Sequence, residues 1–327
     1  MARARANHPE APQAEAKLHL VQAERADQAT VAVLERLNSV IGQNLEGARA
    51  GADEKYLHDL RVAVRRTRSV ARQLRRVFPR EPVRRFRAEF RWLQQETGVA
   101  RDMDVWLLEL DQHRALLPAR AGRDIEPLRA LLSDRRLEAY RGVARDLGSN
   151  RARALLSEWP AFLSSVPAAQ ESDRPDAARP IAAVAGRRID VVYRRMVRMG
   201  AEVDASSRPE ALHDLRKQGK ELRYLLELFG DPFPEAVTAP MVRRLKRLQD
   251  VLGRFHDRDV QVALLQTLRT QVEGLEGGAA ARRAMSALER LLVAEQARAR
   301  AAFEARFSAL AQNRQRKLMR ATFAAQP

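Results

Sequence analysis

The sequence contains no cysteine among its 327 residues. Disulfide bonds, thiolate catalysis and cysteine-ligated zinc are therefore excluded, and this usage is typical of proteins in a reducing compartment. No apolar run approaches the roughly 18 residues that a membrane-spanning helix needs. The first residues are charged and lack the apolar segment of a signal peptide. We expect a cytoplasmic protein without a membrane span.

Aromatic residues make up only 5% of the chain, and runs of β-branched residues are absent. Ala, Leu, Arg and Glu dominate instead, which predicts an all-α fold. The phosphate-binding loop patterns GxxxxGK[ST] and GxGxxG are missing too. If the protein recognises phosphate, the contacts must therefore come from side chains along helices, an arrangement that suits a long polyanion better than one nucleotide.

Acidic residues are outnumbered: 42 Asp and Glu face 59 Lys and Arg, which gives a formal net charge of +17 and a pI near 11.2. Such a balance predicts attraction to polyanions, namely nucleic acid, an acidic membrane surface or a phosphate polymer.

One predicted helix, Leu57–Phe78, concentrates this charge. Its apolar residues recur at alternating spacings of three and four, which indicates a core-facing stripe. A cationic row lies one residue C-terminal to the positions of that stripe: His58, Arg61, Arg65, Arg68, Arg72 and Arg75. From Leu60 to Arg80 there are eight arginines and no acidic residue. Like charges at these spacings destabilise a helix, so the row, about 25 Å long, indicates an anionic partner.

The second half of the chain repeats the first. The pentapeptide LHDLR at Leu57–Arg61 recurs at Leu212–Arg216, an offset of 212 − 57 = 155 residues. The same offset relates Leu93–Gly98 to Leu248–Gly253 and Asp102–Val105 to Asp257–Val260. We therefore predict two copies of one helical bundle, related by a pseudo-two-fold axis.

The predicted organisation is a disordered N-terminal tail (1–16), a first helical repeat (17–166), a linker (167–180) and a second helical repeat (181–318). The first helix is expected over Lys17–Gly47. Four aspartates that follow the glycines of the repeated motif are interpreted as helix caps: Asp102, Asp104, Asp257 and Asp259.

Four segments carry a specific resemblance: LHDLRVAVRRTRS, LHDLRKQGKELRYLLELFG, LQQETGVARDMDV and LKRLQDVLGRFHDRDV. Together they resemble the two halves of a CHAD domain, the conserved-histidine α-helical domain, whose histidines match His58 and His213. The resemblance covers about residues 17–315. It implies two pseudo-symmetric four-helix-bundle repeats with a basic cleft or pore between them, binding of inorganic polyphosphate, and association with polyphosphate granules. Many relatives carry a preceding triphosphate-tunnel domain, for which this chain has neither room nor an ExExK signature.

The predicted polyphosphate contacts are cations on helices of both repeats. Those in the first repeat are His58, Arg61, Arg65, Arg68, Arg72, Arg84, Arg87 and Arg91. Those in the second are His213, Arg216, Lys217, Lys220, Arg223, Arg243, Lys246 and Arg247. Arg72 and Arg75 correspond to Glu227 and Gly230 in the second repeat, so we treat them as an extension of the first row. Beside a polyanion the pKa of each histidine is expected to rise.

Three alternatives remain open at this stage. The net charge also allows nonspecific binding of nucleic acid, although few aromatic residues are present to stack on bases. His58 and His213 each precede an aspartate, which is the pattern of metal-dependent phosphohydrolases, but neighbouring helical residues diverge by 100°. The basic helices could also serve as a scaffold for an acidic protein. We predict binding without catalysis, and no catalytic residue, metal or cofactor.

Overall fold

The fold is built from helices alone within the part of the chain that a computed structural model describes, residues 19–204 and 206–324. The first half contains α1 Ala26–Ala50, α2 Glu54–Gln73, α3 Arg80–Glu96, α4 Gly98–Leu116, α5 Ala119–Asp124, α6 Glu126–Leu147 and α7 Asn150–Ser165. The second contains α8 Ile181–Ala201, α9 Pro209–Phe229, α10 Glu235–Glu273, α11 Gly278–Ala301, α12 Phe303–Ala311 and α13 Asn313–Phe323. The all-α prediction is confirmed, while the predicted disordered tail lies outside the described residues.

The helix that carries the cationic row begins where the sequence places it. Asp53 precedes α2, and its side chain accepts a hydrogen bond of 2.7 Å from the backbone N–H of Lys55. This contact satisfies one of the free N–H groups of the first turn. The helix ends at Gln73, and a short 3-10 helix, Arg75–Val77, replaces its predicted last turn. The cationic row therefore continues from an α-helix into a tighter one.

The first helix begins later than predicted. It starts at Ala26, after Arg25, which forms an isolated β-bridge with Pro180. The predicted start at Lys17 lies outside the described residues. The backbone N–H of Ala26 donates to the carbonyl of Arg179, at 2.8 Å. The segment before α1 is thus held against the start of the second half.

The aspartates interpreted as helix caps do not cap helices. Helix α4 begins at Gly98, so Asp102 lies in its second turn, and α10 runs without interruption past Asp257. Asp104 is buried and accepts hydrogen bonds from Tyr140 Oη at 2.8 Å and Arg136 Nε at 2.7 Å. Asp259 accepts one from Gln296 at 3.1 Å. These interpretations were wrong because the glycines before the aspartates sit inside or at the start of packed helices.

Helices of the two halves share their hydrophobic cores. The main core contains buried residues from α1 to α3 together with others from α8, α9 and α13. A second core joins α4, α5 and α6 to the end of α10 and to α11, through residues such as Trp106, Leu128, Leu268 and Leu288. Burial of apolar surface therefore holds the halves together at two places. No helix within residues 19–204 and 206–324 is long and apolar enough to cross a membrane.

The segment predicted as a linker is firmly packed. Arg174 lies 3.2 Å from the carboxylate of Asp27 in α1, and both side chains are 0% exposed. The backbone N–H of Asp27 donates to the carbonyl of Ala177 at 3.0 Å. The segment is therefore packed against α1 and is not a free linker. The predicted boundaries of the two repeats stay a prediction. The starts of α1 and α8 and of α2 and α9 do keep the repeat's spacing (181 − 26 = 155; 209 − 54 = 155).

Candidate functional site

A basic groove runs between α2 and α9 as three adjoining cavities. Charged or imidazole-bearing residues line the first, the histidine cavity: His58, Arg61, Arg65, Arg101, Asp102, Arg216, Lys220, His256 and Asp257. The middle cavity is lined by Arg65, Arg68, Ser69, Arg72, Arg87, Arg91, Lys217, Lys220, Glu221 and Tyr224. The end cavity has as its polar lining Arg72, Gln73, Arg75, Arg76, Asp176, Arg187, Arg188, Arg195, Gln218 and Glu221. Shared lining residues connect each cavity to the next.

The middle cavity, of about 300 Å³, brings together cations from both halves of the chain. One wall is formed by the row on α2 and by Arg87 and Arg91 of α3. Lys217 and Lys220 of α9 form the other. Glu221 is the one carboxylate among the described residues that line it. The row predicted from the sequence thus faces cations of the second half across a shared space.

Arg68 shows the electrostatic state of this cavity. Its pKa is lowered by burial and further by the charges of Arg91, Arg72 and Arg87. Within the described residues it has no carboxylate partner within 4 Å. The pKa of Arg87 is lowered for the same reasons, burial first and then Arg75 and Arg91. The cations therefore repel one another, and a bound anion would relieve that repulsion.

Hydrogen bonds and ion pairs fix the two walls of the groove relative to each other. Arg65 Nε donates to Tyr224 Oη at 2.8 Å. Arg66, which lines none of the three cavities, pairs with Glu227 at 2.9 Å. Arg72 pairs with Glu221, so this predicted contact already has an anionic neighbour. The groove is therefore formed before any ligand arrives, which reduces the ordering cost of binding.

Arg61 and Arg216 occupy equivalent places in the histidine cavity and help to build it. Arg61 donates to the carbonyl of Gln94 and to Thr97 Oγ1, both at 2.7 Å, at the end of α3. Burial lowers its pKa to about 10. Arg216 lies 3.7 Å from the carboxylate of Asp257. Each of these arginines is partly committed to the protein itself, so they are weaker candidates for ligand contact than Arg68.

Burial favours the neutral form of the histidines in the unliganded groove. Burial and the nearby Arg101 lower the pKa of His58. Burial and the cations of α9 lower that of His213. His213 Nδ1 lies 3.2 Å from His256 Nδ1, and burial and His213 lower the pKa of His256 to about 4. A ligand that charges these rings must first overcome this burial.

Lys220 occupies the junction between the histidine and middle cavities. Burial lowers its pKa to about 7, with further lowering by Arg216 and Arg65. Its side-chain amine is therefore only partly protonated at neutral pH in the unliganded protein. This position couples the charge of the groove to pH.

Several predicted contacts line none of the three cavities. Arg84 is exposed and lies 2.5 Å from Glu81 on its own helix. Arg223 packs over the ring of Tyr224 at 5.4 Å and lies 3.8 Å from Glu227. Three others are exposed on α10: Arg243, Lys246 and Arg247. His213 reaches the groove only through its contact with His256, so the direct role of these six residues stays a prediction.

The groove also contains residues that the sequence analysis did not select. Arg101 and His256 are related by the 155-residue offset, and each lies beside the histidine of its own half, so the repeat itself was the missed signal. Arg188 and Arg195 of α8 line the end cavity. Their spacing of seven residues places them on one helix face.

The site contains no set of metal ligands in the described part of the chain, where no three His, Asp or Glu side chains converge in a way that could hold an ion. The His58–Asp59 and His213–Asp214 pairs do not meet one another there either. Asp59 pairs with Lys55, and Asp214 lies 3.0 Å from Lys217. The side chains that do converge are cations, so the chemistry that this groove offers is the binding of anions.

Comparisons with known proteins agree with this fold. The family model for the CHAD domain matches residues 32–266. The crystal structure of the CHAD domain from the plant Ricinus communis has a TM-score of 0.76 and 25% sequence identity, over 92% of this chain and 98% of that chain. PptA from Streptomyces chartreusis shares the fold, with a TM-score of 0.68 at 16% identity over 87% of this chain and 100% of that chain. No curated protein matches. With its family match over most of its length, this chain belongs to the CHAD domain family.

Proposed function

We propose that this protein binds inorganic polyphosphate in the basic groove and does not cleave it. The observation that carries the proposal is the middle cavity, where arginines from α2 and α3 face lysines from α9. The described residues that line this space include a single carboxylate. The CHAD family is a polyphosphate-binding family, which supports the same ligand. We place the protein in the cytoplasm, in association with polyphosphate granules.

Binding is electrostatic in this proposal. Arg65, Arg68, Arg87 and Arg91 each present several N–H donors to phosphate oxygens, and arginine can form two parallel hydrogen bonds to one phosphate. The polymer gives up its counterions to these cations, so affinity falls steeply as salt rises, as it does for nucleic acids. The protein needs no metal or cofactor for this.

The groove fits a phosphate polymer better than a single-stranded nucleic acid. Single-stranded nucleic acids gain much of their affinity from bases that stack on aromatic rings. The one aromatic residue among the described lining of the middle cavity is Tyr224. Its hydroxyl group accepts from Arg65, and the guanidinium groups of Arg66 and Arg223 lie over its ring at 5.6 and 5.4 Å. Its ring is therefore already occupied by protein contacts.

A competition experiment tests the choice of ligand. Labelled long-chain polyphosphate is bound at moderate salt and then displaced by unlabelled polyphosphate or by single-stranded DNA of matched total charge. We expect DNA to require an at least tenfold higher concentration, because each base that finds no free aromatic ring forgoes about 1–3 kcal/mol of stacking. The polymer recovered from the complex should keep its length. Equal competition by DNA would contradict the proposal, as would shortening of the polymer.

Affinity should also fall as pH rises, because of Lys220. A bound polyanion stabilises the ammonium form, so its pKa rises from about 7 in the free protein and binding takes up a proton above pH 7. From pH 7 to pH 9 the affinity should decrease by up to about tenfold per pH unit. Calorimetry in buffers of different ionisation enthalpy measures the proton uptake.

The matched control for this pH dependence is the variant Lys220→Met, which keeps the length of the side chain and removes the titrating group. We expect it to bind more weakly at pH 7 and to lose most of the pH dependence. If K220M kept the full pH dependence, Lys220 would not be the group responsible.

A further inference from the structure

The end cavity extends the groove beyond the cations that were predicted to bind. It has a volume of about 520 Å³ and lies at the C-terminal end of α2, against α8. Six arginines line it: Arg72, Arg75, Arg76, Arg187, Arg188 and Arg195. Two carboxylates, Asp176 and Glu221, accompany them, so the charges of the lining sum to an excess of four positive charges (6 − 2 = 4).

Both carboxylates are already engaged by arginines at the margin of the cavity. Asp176 lies 3.2 Å from Arg76 and 3.0 Å from Arg187. Glu221 pairs with Arg72. What remains within the described residues is Arg75 and Arg195, each without an acidic partner within 4 Å, and Arg188.

Arg188 is held with one donor unused. Its terminal nitrogen donates to Gln73 Oε1 at 2.5 Å, while its Nε is buried and has no hydrogen-bond partner among residues 19–204 and 206–324. Burial lowers its pKa, and the charges of Arg75 and Arg187 lower it further. A buried donor without a partner is costly, and an anion in this cavity would supply both the missing acceptor and the missing charge.

The end and middle cavities are joined by a chain of contacts. Gln73 accepts from Arg188 and donates to Glu221 Oε2 at 2.6 Å, and Glu221 in turn pairs with Arg72. Arg72 and Glu221 line both cavities. An anion that leaves the middle cavity along α2 therefore passes Arg72 and arrives directly among the unpaired arginines.

We propose that the end cavity is an additional anion subsite that receives the continuation of the same polyphosphate chain, so that long chains bind more tightly than short ones. The inference rests on the proposed function of the groove. From His58 to Arg75 the row is about 25 Å long, more than tripolyphosphate spans. A short anion occupies one cavity at a time, whereas a long chain engages all three and gains affinity from each.

The test compares two triple variants that remove the same charge. In R75Q/R188Q/R195Q the unpaired cations of the end cavity are neutralised. In the control, R283Q/R290Q/R306Q, the three exposed arginines lie on α11 and α12 and line none of the three cavities. For each protein the affinity for long-chain polyphosphate is measured over a range of salt, together with the affinity for tripolyphosphate and the circular dichroism spectrum.

We expect the end-cavity variant to bind long chains at least tenfold more weakly than the control variant. Its slope of log affinity against log salt should be smaller by about two to three, one for each lost phosphate contact. The affinity for tripolyphosphate should fall by no more than about twofold, because the middle cavity still binds it. The variant R75Q/R195Q, which leaves the partly buried Arg188 in place, should show a smaller change in the same direction.

The outcomes separate the two proposals. If the wild-type protein bound no polyphosphate, both would be overturned. If the wild type bound long chains and the end-cavity variant matched the control in affinity and slope, the subsite would be overturned and the proposed function would stand. Equal losses for tripolyphosphate and for long chains would overturn the dependence on chain length.

Discussion

The double variant R65E/R68E is expected to lose measurable polyphosphate binding while its helical content stays unchanged. Both side chains line the middle cavity, and Arg68 has no acidic partner within 4 Å in the described residues. Each lost charge-assisted hydrogen bond is worth roughly 1.5–3 kcal/mol, so two account for a loss of at least about a hundredfold. Reversal of the charge adds repulsion of the polymer. Binding at moderate salt and far-ultraviolet circular dichroism measure the two effects.

The control for this variant is R283E/R290E, which makes the same change of charge on the exposed face of α11. It should bind nearly as well as the wild type, because those arginines line none of the groove. R68E alone leaves the hydrogen bond from Arg65 to Tyr224 in place and separates loss of contact from disturbance of the walls. Binding by R65E/R68E equal to that of R283E/R290E would mean that the row is only a solvated face.

The second large effect concerns stability, since Arg174→Ala should lower the melting temperature by on the order of 10 °C. The substitution removes the buried ion pair with Asp27 and the hydrogen bond of 3.1 Å from Arg174 Nε to the carbonyl of Gln170. Asp27 would keep Arg25, at 2.9 Å, as a charged partner, and the backbone N–H of Gln28, also at 2.9 Å, as a hydrogen-bond donor. Removal of one member of a buried pair typically costs about 3–5 kcal/mol. Differential scanning calorimetry measures the shift.

Arg179→Ala is the matched control, because Arg179 lies in the same segment, is partly exposed and is 3.9 Å from Asp176. A pair of that kind contributes about 0–1 kcal/mol, so its removal should shift the melting temperature by no more than a few degrees. A melting temperature for R174A equal to that of R179A would contradict the structural role of the segment.

The spacing of residues along α2 was sufficient to predict one wall of the groove. A side chain one position behind a core stripe lies at the border between core and solvent, so Arg65, Arg68 and Arg72 had to line any space beside that core. The repeat offset supplied Lys220 of α9 in the same way, as the counterpart of Arg65. Regular helical geometry carries both inferences, which is why they needed no tertiary information.

Long-range contacts decide the parts that could not be predicted. Arg174 and Asp27 are 147 residues apart, so a segment with the composition of a linker gave no sign of its buried ion pair. Asp257 was interpreted as a helix cap, yet α10 continues through Gly253 and past Asp257, with Arg216 packed against the glycine. A glycine within a helix costs about 1 kcal/mol, which the burial of α10 against its neighbours outweighs. Arg188 was missed because α8 repeats no cationic motif of the first half.

The second core, in which α4, α5 and α6 pack against α10 and α11, has a consequence for the synthesis of the protein. Apolar residues of the first half, such as Trp106 and Leu128, are synthesised well before the residues that they pack against, such as Leu268 and Leu288. Until those partners emerge, the nascent chain exposes apolar surface that is buried in the folded protein. Such exposed surface promotes aggregation and is bound by chaperones. The lysines of α9 also emerge after the whole of α2 and α3, so the two walls of the middle cavity can meet only once the second half is being made.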